Sequence, residues 1–384
     1  MNNEKLLSLI QLSLWGNGDL TADRELFEEM KRHAIAVLPA SHLSSLDLPG
    51  DLQKEWKTYI LQQLVSCVRC MHEQSALPLS VPYVILKGSS AAQYYPNPDY
   101  RMMGDIDVMT RREDFDTACQ QLMDHGYRIT SQLNRETSLE KNGVTTELHR
   151  RFATLNDPEK AKCLDDLIIE NINPTHVLPD PVNGLVILEH ISQHMVGGLG
   201  LRQIIDWMMF VDKCLPDEKW QEFYCLVKRI GLEKLAIVTT RMCEMYLGLP
   251  ERQWCAAADH ELCQQLMEYI LSSGNFGSKR TTDKDISENA FAYASNFRAA
   301  FKLLKKQGLA NWKAAQRHKI LQPFAWIYQA FRYASKGLKR ERAFSKLKAE
   351  YLAGTRRNAL FDALGVRTTA KGDIVLKDGK YMKE

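Results

Sequence analysis

Between residues 81 and 155 the spacing of apolar residues changes period, and this switch constrains the fold more than any other feature of the chain. Before it, EKLLSLIQLSL, ELFEEMKRHAIAVL and KEWKTYILQQLVSCVRCMHEQ repeat apolar residues every third and fourth position, the signature of one buried helix face. Pro and Ser clusters (LPASHLSS, LDLPGD, ALPLSVP) separate or end these segments. VPYVILKG then opens with a proline and reads as a short buried strand over Tyr83 to Leu86. GSSAAQYY has the small residues of a helix start, and PNPDYRMM carries too many prolines for a regular element. GDIDVMT is a second strand, and REDFDTACQQLMDHGY is a helix closing near Gly126. YRITSQL and GVTTELHRR alternate as strands, joined through ETSLEKNG, where Asn142-Gly143 marks a tight turn.

From about 180 the helical period returns in NGLVILEHISQHMV, LRQIIDWMMFVDKCL, KWQEFYCLVKRI, LEKLAIVTTRMCEMYLG and ELCQQLMEYILSS. The glycine-rich SSGNFGSKR follows, then basic helical segments from FRAAFKLLKK to SKLKAEYL. The expected fold class is therefore α+β (α/β), a small sheet domain with large flanking all-helical regions. The 384 residues exceed one comfortable core. The expected divisions are a helical region over 1–78, a sheet core over 79–160, a helical domain over 161–365, and a tail or short hairpin over 366–384.

Apolar residues make up 45% and charged residues 25%, the composition of a soluble folded protein. A net charge of +3 does not by itself imply nucleic-acid binding. The start of the chain lacks a basic region and a small-residue cleavage site, so no secretory signal is expected. The nine cysteines are odd in number and lie mostly in helical apolar segments, as Cys214, Cys225 and Cys243 do. They read as buried thiols of a reducing, cytoplasmic compartment. Cys67 and Cys70 form a CxxC with no second pair at zinc-finger spacing. No apolar run approaches the length of a membrane span, so no membrane insertion is expected.

GDIDVMT raises the chemical question. Asp105 and Asp107 are two apart on a strand, so both point to one face, while Ile106 and Val108 point to the other. Two like charges this close repel, and one tends to stay protonated unless a cation joins them. Mg²⁺ takes carboxylate oxygens and keeps positions for a phosphate. A lone DxD is common, as a solvated strand end or a helix cap. Here three neighbours join it. Leu86-Lys87-Gly88-Ser89-Ser90 runs from a strand into small residues that offer N–H groups and hydroxyls to an anion. Lys87 and Arg101 add positive charge, and Glu147 in VTTELH offers a third carboxylate.

In this combination the chain resembles the DNA polymerase beta-like nucleotidyltransferase superfamily: Gly-Ser, a loop, Asp-Ile-Asp on a strand, and a later strand with Glu. More narrowly, LKGSSAAQYYPNPDYRMMGDIDVMT followed by TELHR is similar to an uncharacterised bacterial nucleotidyltransferase family with the pattern LKG…YP…R..GDIDLLV…LH. The similarity covers roughly 80 to 210. One departure is the long interval between Gly88-Ser89 and Asp105, caused by YYPNPDY. The resemblance implies that Asp105, Asp107 and Glu147 are the catalytic and metal-holding residues, with Mg²⁺ as the ion and Mn²⁺ as an alternative. Glu147 would share a second metal or help deprotonate the acceptor. Gly88 and Ser89 would hold the outer phosphates, with Lys87 or Arg101 nearby. The implied reaction transfers a nucleoside monophosphate from a nucleoside triphosphate to an acceptor hydroxyl or phosphate and releases pyrophosphate. The acceptor would be a small molecule, a protein or an RNA end. Two other classes stand beside this one: a non-catalytic nucleotide- or RNA-binding protein retaining the fold, and another phosphotransfer enzyme. The chain has neither a P-loop nor a kinase motif set.

Further residues carry two readings each. His149 shares the face of Glu147 and is either a phosphate or carboxylate partner or a structural hydrogen bond. His190 and His194 share a helix face. They pack, contact the sheet unit or substrate, or bind zinc with a third ligand. Arg202 either pairs with Asp206 or reaches into the cleft. SSGNFGSKR is a lid or a helix connection. The basic positions from Lys302 to Lys348 form either a surface for a tRNA-like acceptor or a solvated helical face. LEHISQHMVGGLGLRQIIDW, with His190, His194 and Arg202, is expected to form the second wall of the cleft, because buried polar groups need partners and ligand sites favour domain interfaces.

Overall fold

The computed structural model describes residues 3–19 and 21–275, isolated parts of 305–331, and residues 355–366, 374–377 and 380–383. The chain divides into two compact units, residues 1–280 with 364–384, and residues 281–363. SSGNFGSKR beyond Asn275, and the basic positions from Lys302 to Lys348 other than Lys305 and Lys319, lie outside the described residues. Within the second unit the Trp312 and Tyr328 rings stack with centroids 5.0 Å apart.

The first unit is built around a five-stranded mixed sheet of β1 (Tyr83–Leu86), β2 (Asp105–Thr110), β5 (Val144–His149), β4 (Glu136–Lys141) and β3 (Arg128–Gln132), in that spatial order. β2 and β5 run parallel, and the other neighbours are antiparallel. ETSLEK, expected as a connection, is the strand β4, paired on both sides. Its apolar content is a single leucine, Leu139, so the hydrophobic pattern is silent there; backbone pairing from both neighbours supplies what the side chains do not signal. The expected turn is present. Asn142 and Gly143 both have positive φ, 53° and 73°, as a two-residue hairpin loop matched to strand twist requires.

The sheet has two unlike faces. On one, Tyr83, Ile85, Ile106, Val108, Leu139, Val144 and Leu148 join Cys67 and Cys70 of α3 (Gly50–Ser75) and Phe115, Ala118, Cys119 and Leu122 of α5 (Phe115–Asp124) in a continuous core. The odd-numbered residues of β2 and β5, including both aspartates, Glu147 and His149, take the other face by strand alternation. That face belongs to the candidate site.

Around the sheet lie α1 (Asn3–Trp15), α2 (Arg24–Arg32), α4 (Gly88–Ala92), α6 (Pro158–Glu170), α7 (Asp180–Gly197), α8 (Leu201–Cys214), α9 (Asp217–Ile230), α10 (Glu233–Leu247) and α11 (His260–Ser273). Polar ties fix them. Trp15 Nε1 donates to Leu247 O at 2.7 Å, joining α1 to α10. Asn183 of α7 donates to Ser90 O and to the Tyr94 hydroxyl, and Ser90 Oγ donates back to Asn183 Oδ1 at 3.0 Å. The helices are thereby held against the loop that leaves β1. Near the chain end, β6 (Ile374–Lys377) and β7 (Lys380–Lys383) pair as a hairpin.

All nine cysteines are free thiols. Cys225 departs from the expectation of burial: it is exposed. It lies between the inward positions Phe223, Val227 and Ile230 of α9, on the opposite helix face. Cys214 is half-buried and Cys243 buried. Cys67 accepts a contact from Met103 N at 3.4 Å, so the CxxC sulfur supports the approach to β2. Among the described residues no helix is long and apolar enough to cross a membrane.

Candidate functional site

β2 and β5 position the carboxylates. In their parallel register Asp105 lies opposite Thr145, Asp107 opposite Glu147, and Met109 opposite His149. Alternation therefore brings Asp107, Glu147 and His149 to one face, and their ligand atoms all lie within 4.8 Å of one another. Asp105, at the solvent-accessible start of the strand, lies outside that trio.

Asp107 is 3% exposed and carries two partners on a single oxygen. Lys87 Nζ is 2.7 Å and His149 Nε2 2.8 Å from Oδ1. An extended chain would send Lys87 to the face of Ile85. Instead Lys87 adopts φ 53° and ψ −139°, followed by Gly88 at φ 37°, and this reversal brings the ammonium onto Asp107. Backbone strain of this kind in a non-glycine residue persists where surrounding contacts hold it.

The electrostatics differ among the three carboxyls. Burial opposes ionisation of Asp107, but the Lys87 ammonium and then His149 outweigh it and hold the group well below the ordinary range. Asp105 is shifted upward, first by desolvation from the protein nearby, although its side chain keeps solvent contact at the strand start, and then by the Asp107 charge. Glu147 is also raised, by burial and then by Asp107. Lys87 is raised because its carboxylate neighbours, Asp107 first, overcome its burial. The site thus holds one firmly ionised carboxylate beside two that resist ionisation. A divalent cation resolves such a set by replacing protons as the shared positive charge.

The other sequence-expected residues divide into two groups. Gly88 opens onto space: a Cβ there would meet Met103 Sδ at 3.7 Å and Asp105 O at 3.9 Å, both ordinary contacts. Ser89 Oγ donates to Gln74 Oε1 at 2.8 Å, so turning its proton to a phosphate breaks this bond. Arg101 is held elsewhere. Its Nε and Nη2 grip Asp206 at 3.1 and 2.7 Å, and the Tyr95 hydroxyl donates to the same carboxylate at 2.8 Å. Of the two readings for Arg202, the pairing with Asp206 on its own helix does not occur: both Asp206 oxygens serve Arg101, 105 residues earlier. A planar guanidinium meets a carboxylate through two parallel bonds, a geometry that one-turn neighbours on a helix do not need.

Arg202 is left facing the loop before β2. Its Nη1 reaches Met102 O at 3.5 Å and its Nε has no hydrogen-bond partner. Burial and then the Arg101 charge lower its pKa, while Asp105 and Asp206 oppose the shift. His190 and His194 contact through their Nε2 atoms at 2.9 Å, so one ring donates and the other accepts. His190 is held neutral, its pKa well below the usual value because of burial, then His194, Lys87 and Arg202. Among the described residues no acidic or cysteine group joins them as a third metal ligand. Of the α7–α8 segment, Arg202 lies within electrostatic reach of Asp105 and His190 within reach of Lys87.

Three residues escaped the sequence reading. Glu136, opposite His149 in the β4–β5 register, places Oε2 3.4 Å from His149 Nδ1 and 2.6 Å from Arg135 Nη2. Asp165 accepts from Phe152 N and Ala153 N, each at 2.9 Å. Glu189, directly before His190, accepts from Thr154 N at 2.7 Å and from its hydroxyl at 3.0 Å, tying α7 to the segment after β5. Only β4's alternation in register with β5 could have flagged Glu136; the other two are unmarked in sequence.

Burial raises the Glu189 pKa to about 7. Because the folded state holds this proton more tightly than the unfolded chain, the resulting stability is full below the unfolded carboxyl pKa, near 4.3, and is lost as pH rises through about 7. Urea titrations between pH 4.5 and 8 should show this decline, up to about 3 kcal/mol. Glu189→Gln should flatten it; an unchanged slope would place the titration elsewhere.

Residues 21–248 match the family described as uncharacterised nucleotidyltransferase, and the chain belongs to that family. It is thus a nucleotidyltransferase by family, and its sheet with the Asp105–Asp107 strand lies inside the matched region. No curated protein and no solved structure matches the chain.

Proposed function

We propose that the protein transfers a nucleoside monophosphate from a nucleoside triphosphate to an acceptor hydroxyl or phosphate, with release of pyrophosphate and dependence on a divalent cation, Mg²⁺ in the first instance. The observation that carries this reading is the convergence of Asp107 and Glu147, beside Asp105, on one sheet face within a chain of nucleotidyltransferase family. Asp105, Asp107 and Glu147 would hold the cation. When bound there it neutralises charge on the attacking and leaving oxygens.

The chain's own groups do the rest. Lys87 neutralises Asp107 in the metal-free protein and is placed to turn to phosphate once that charge is shared. The N–H of Gly88 and the hydroxyl of Ser89 would hold the outer phosphates, and Arg202 supplies a cation whose Nε is uncommitted. Glu147, whose burial favours its protonated form, is placed to take the acceptor's proton once the Asp107 charge beside it is neutralised. Arg101 acts on the site indirectly, by clamping the β2 approach to α8. The acceptor classes remain a small molecule, a protein or an RNA end, in a cytoplasmic bacterial setting. A protein that only binds nucleotide would retain NTP affinity without turnover.

Screening the four α-labelled triphosphates with Mg²⁺ or Mn²⁺ against metabolite, protein and RNA pools tests the proposal. Label should enter an acceptor as pyrophosphate forms; tight NTP binding with no transfer in any pool supports the binding module instead. Gly88→Val should weaken NTP affinity on the order of tenfold, since valine both fills the open space and resists positive φ. Calorimetric titration of the folded variant decides this, and unchanged affinity would move the phosphates away from Gly88.

A further inference from the structure

The reading above gives the cation only carboxylate ligands, as the sequence does. The structure places a nitrogen where one of those ligands is expected. His149 Nε2 lies 2.8 Å from Asp107 Oδ1 and 3.8 Å from Glu147 Oε2, while Asp105 stands outside the group. Ligand atoms around one small divalent ion are spaced roughly 3 to 4.3 Å apart, because each bond is about 2.1 Å long. The His149–Glu147 spacing of 3.8 Å falls in this range, and the His149–Asp107 spacing of 2.8 Å needs only a slight widening to reach it.

The opposite side of the imidazole is also arranged. Glu136 Oε2 stands 3.4 Å from Nδ1, and Arg135 holds that carboxylate at 2.6 Å. The 3.4 Å contact is an ion-pair spacing outside hydrogen-bond geometry, and His149 Nδ1 makes no hydrogen bond, so Glu136 is the carboxylate positioned to accept its proton after a small adjustment. His149 is 1% exposed, so water does not compete for either nitrogen. A carboxylate that accepts the Nδ1 proton fixes the tautomer with a bare Nε2, the arrangement that orients a metal-ligating histidine. At 2.8 Å His149 Nε2 and Asp107 Oδ1 are in hydrogen-bond contact, and a cation bound there would take the place of the shared proton.

We propose that His149 is a nitrogen ligand of the cation, oriented by Glu136, and that the resulting Asp107–Glu147–His149 site takes Mn²⁺ in preference to Mg²⁺. The proposal rests on the site's being a cation site and refines which ion it selects. Imidazole suits first-row transition ions, whereas Mg²⁺ favours oxygen alone. His149→Gln should therefore lower Mn²⁺ affinity while changing Mg²⁺ affinity little. Glu136→Gln should reduce Mn²⁺ affinity about 10- to 100-fold while leaving the histidine in place.

The test is pulsed electron paramagnetic resonance on the full chain with substoichiometric Mn²⁺ and no nucleotide, together with calorimetric titration of both ions. The expected result is nitrogen modulation of the Mn²⁺ echo, its loss in folded His149→Gln, and a Mn²⁺ over Mg²⁺ preference of at least about tenfold. Absence of nitrogen coupling in the parent protein overturns the proposal, as does coupling that persists in folded His149→Gln. Should that variant fail to fold, the parent spectrum and the Glu136→Gln titration decide. Nitrogen coupling without transfer of the α-phosphate would uphold the ligand set and overturn the proposed activity. Transfer with Mg²⁺ and no nitrogen coupling would do the reverse.

Discussion

Asp107→Asn is expected to lower nucleotidyl transfer on the order of 10³-fold or more and also to destabilise the fold, whereas Asp105→Asn should lower activity with little loss of stability. The sequence alone suggests that removing either carboxylate relieves repulsion at small cost. For Asp107 the structure reverses that expectation. Its carboxylate is the counter-ion of the Lys87 ammonium at 2.7 Å, and both groups are largely removed from water. Removing one partner of a buried ion pair costs about 3–5 kcal/mol, because the other charge is stranded; an asparagine that still accepts a hydrogen bond lowers this to roughly 2–4 kcal/mol. Asp105 has no such partner at its solvent-accessible strand end. Chemical denaturation of both variants, beside transfer of labelled α-phosphate, separates the two. Equal stability of the two variants would show that Lys87 does not depend on Asp107.

Arg101→Met is expected to cost about 3–5 kcal/mol of stability. Arg101 and Tyr95 both bind Asp206, and the three lie 5% exposed or less. Without the guanidinium, the Asp206 carboxylate is buried with a phenol as its remaining side-chain donor. Arg101→Lys should recover little, because a single ammonium cannot reproduce the two parallel bonds. Asp206→Asn should be equally costly, and the double variant Arg101→Met/Asp206→Leu should regain much of the loss. Urea unfolding midpoints across this cycle measure the coupling. A loss below about 1 kcal/mol in Arg101→Met would mean that the clamp does not hold α8 to the β2 approach.

These two pairs show what the sequence reveals and what it hides. GDIDVMT and VTTELH disclose their shared face directly, since alternation is a property of each strand by itself. The Asn142-Gly143 turn is local and equally legible. β4 is not, because ETSLEK is a strand through pairing with β3 and β5 and not through its own pattern. Lys87 on Asp107 depends on a positive φ at residue 87 itself, a lysine, which the adjacent Gly88 does not announce. Arg101 and Asp206 meet across 105 residues, so only the packed helices bring them together, and the one-turn spacing of Arg202 and Asp206 could not decide between pairing and a reach into the cleft. His149 was visible as a same-face neighbour of Glu147, but its tie to Glu136 required β4.

The account turns on which phosphate moves. Parallel reactions with α-labelled and γ-labelled triphosphate, with Mg²⁺ or Mn²⁺ and an acceptor pool, measure this directly. The expected result is α-label in the acceptor, γ-label in pyrophosphate, and neither transfer with Asp105→Asn or Asp107→Asn. Label moving to the acceptor from the γ-position, or α-label transfer that survives both substitutions in folded protein, would contradict nucleotidyl transfer at this carboxylate site.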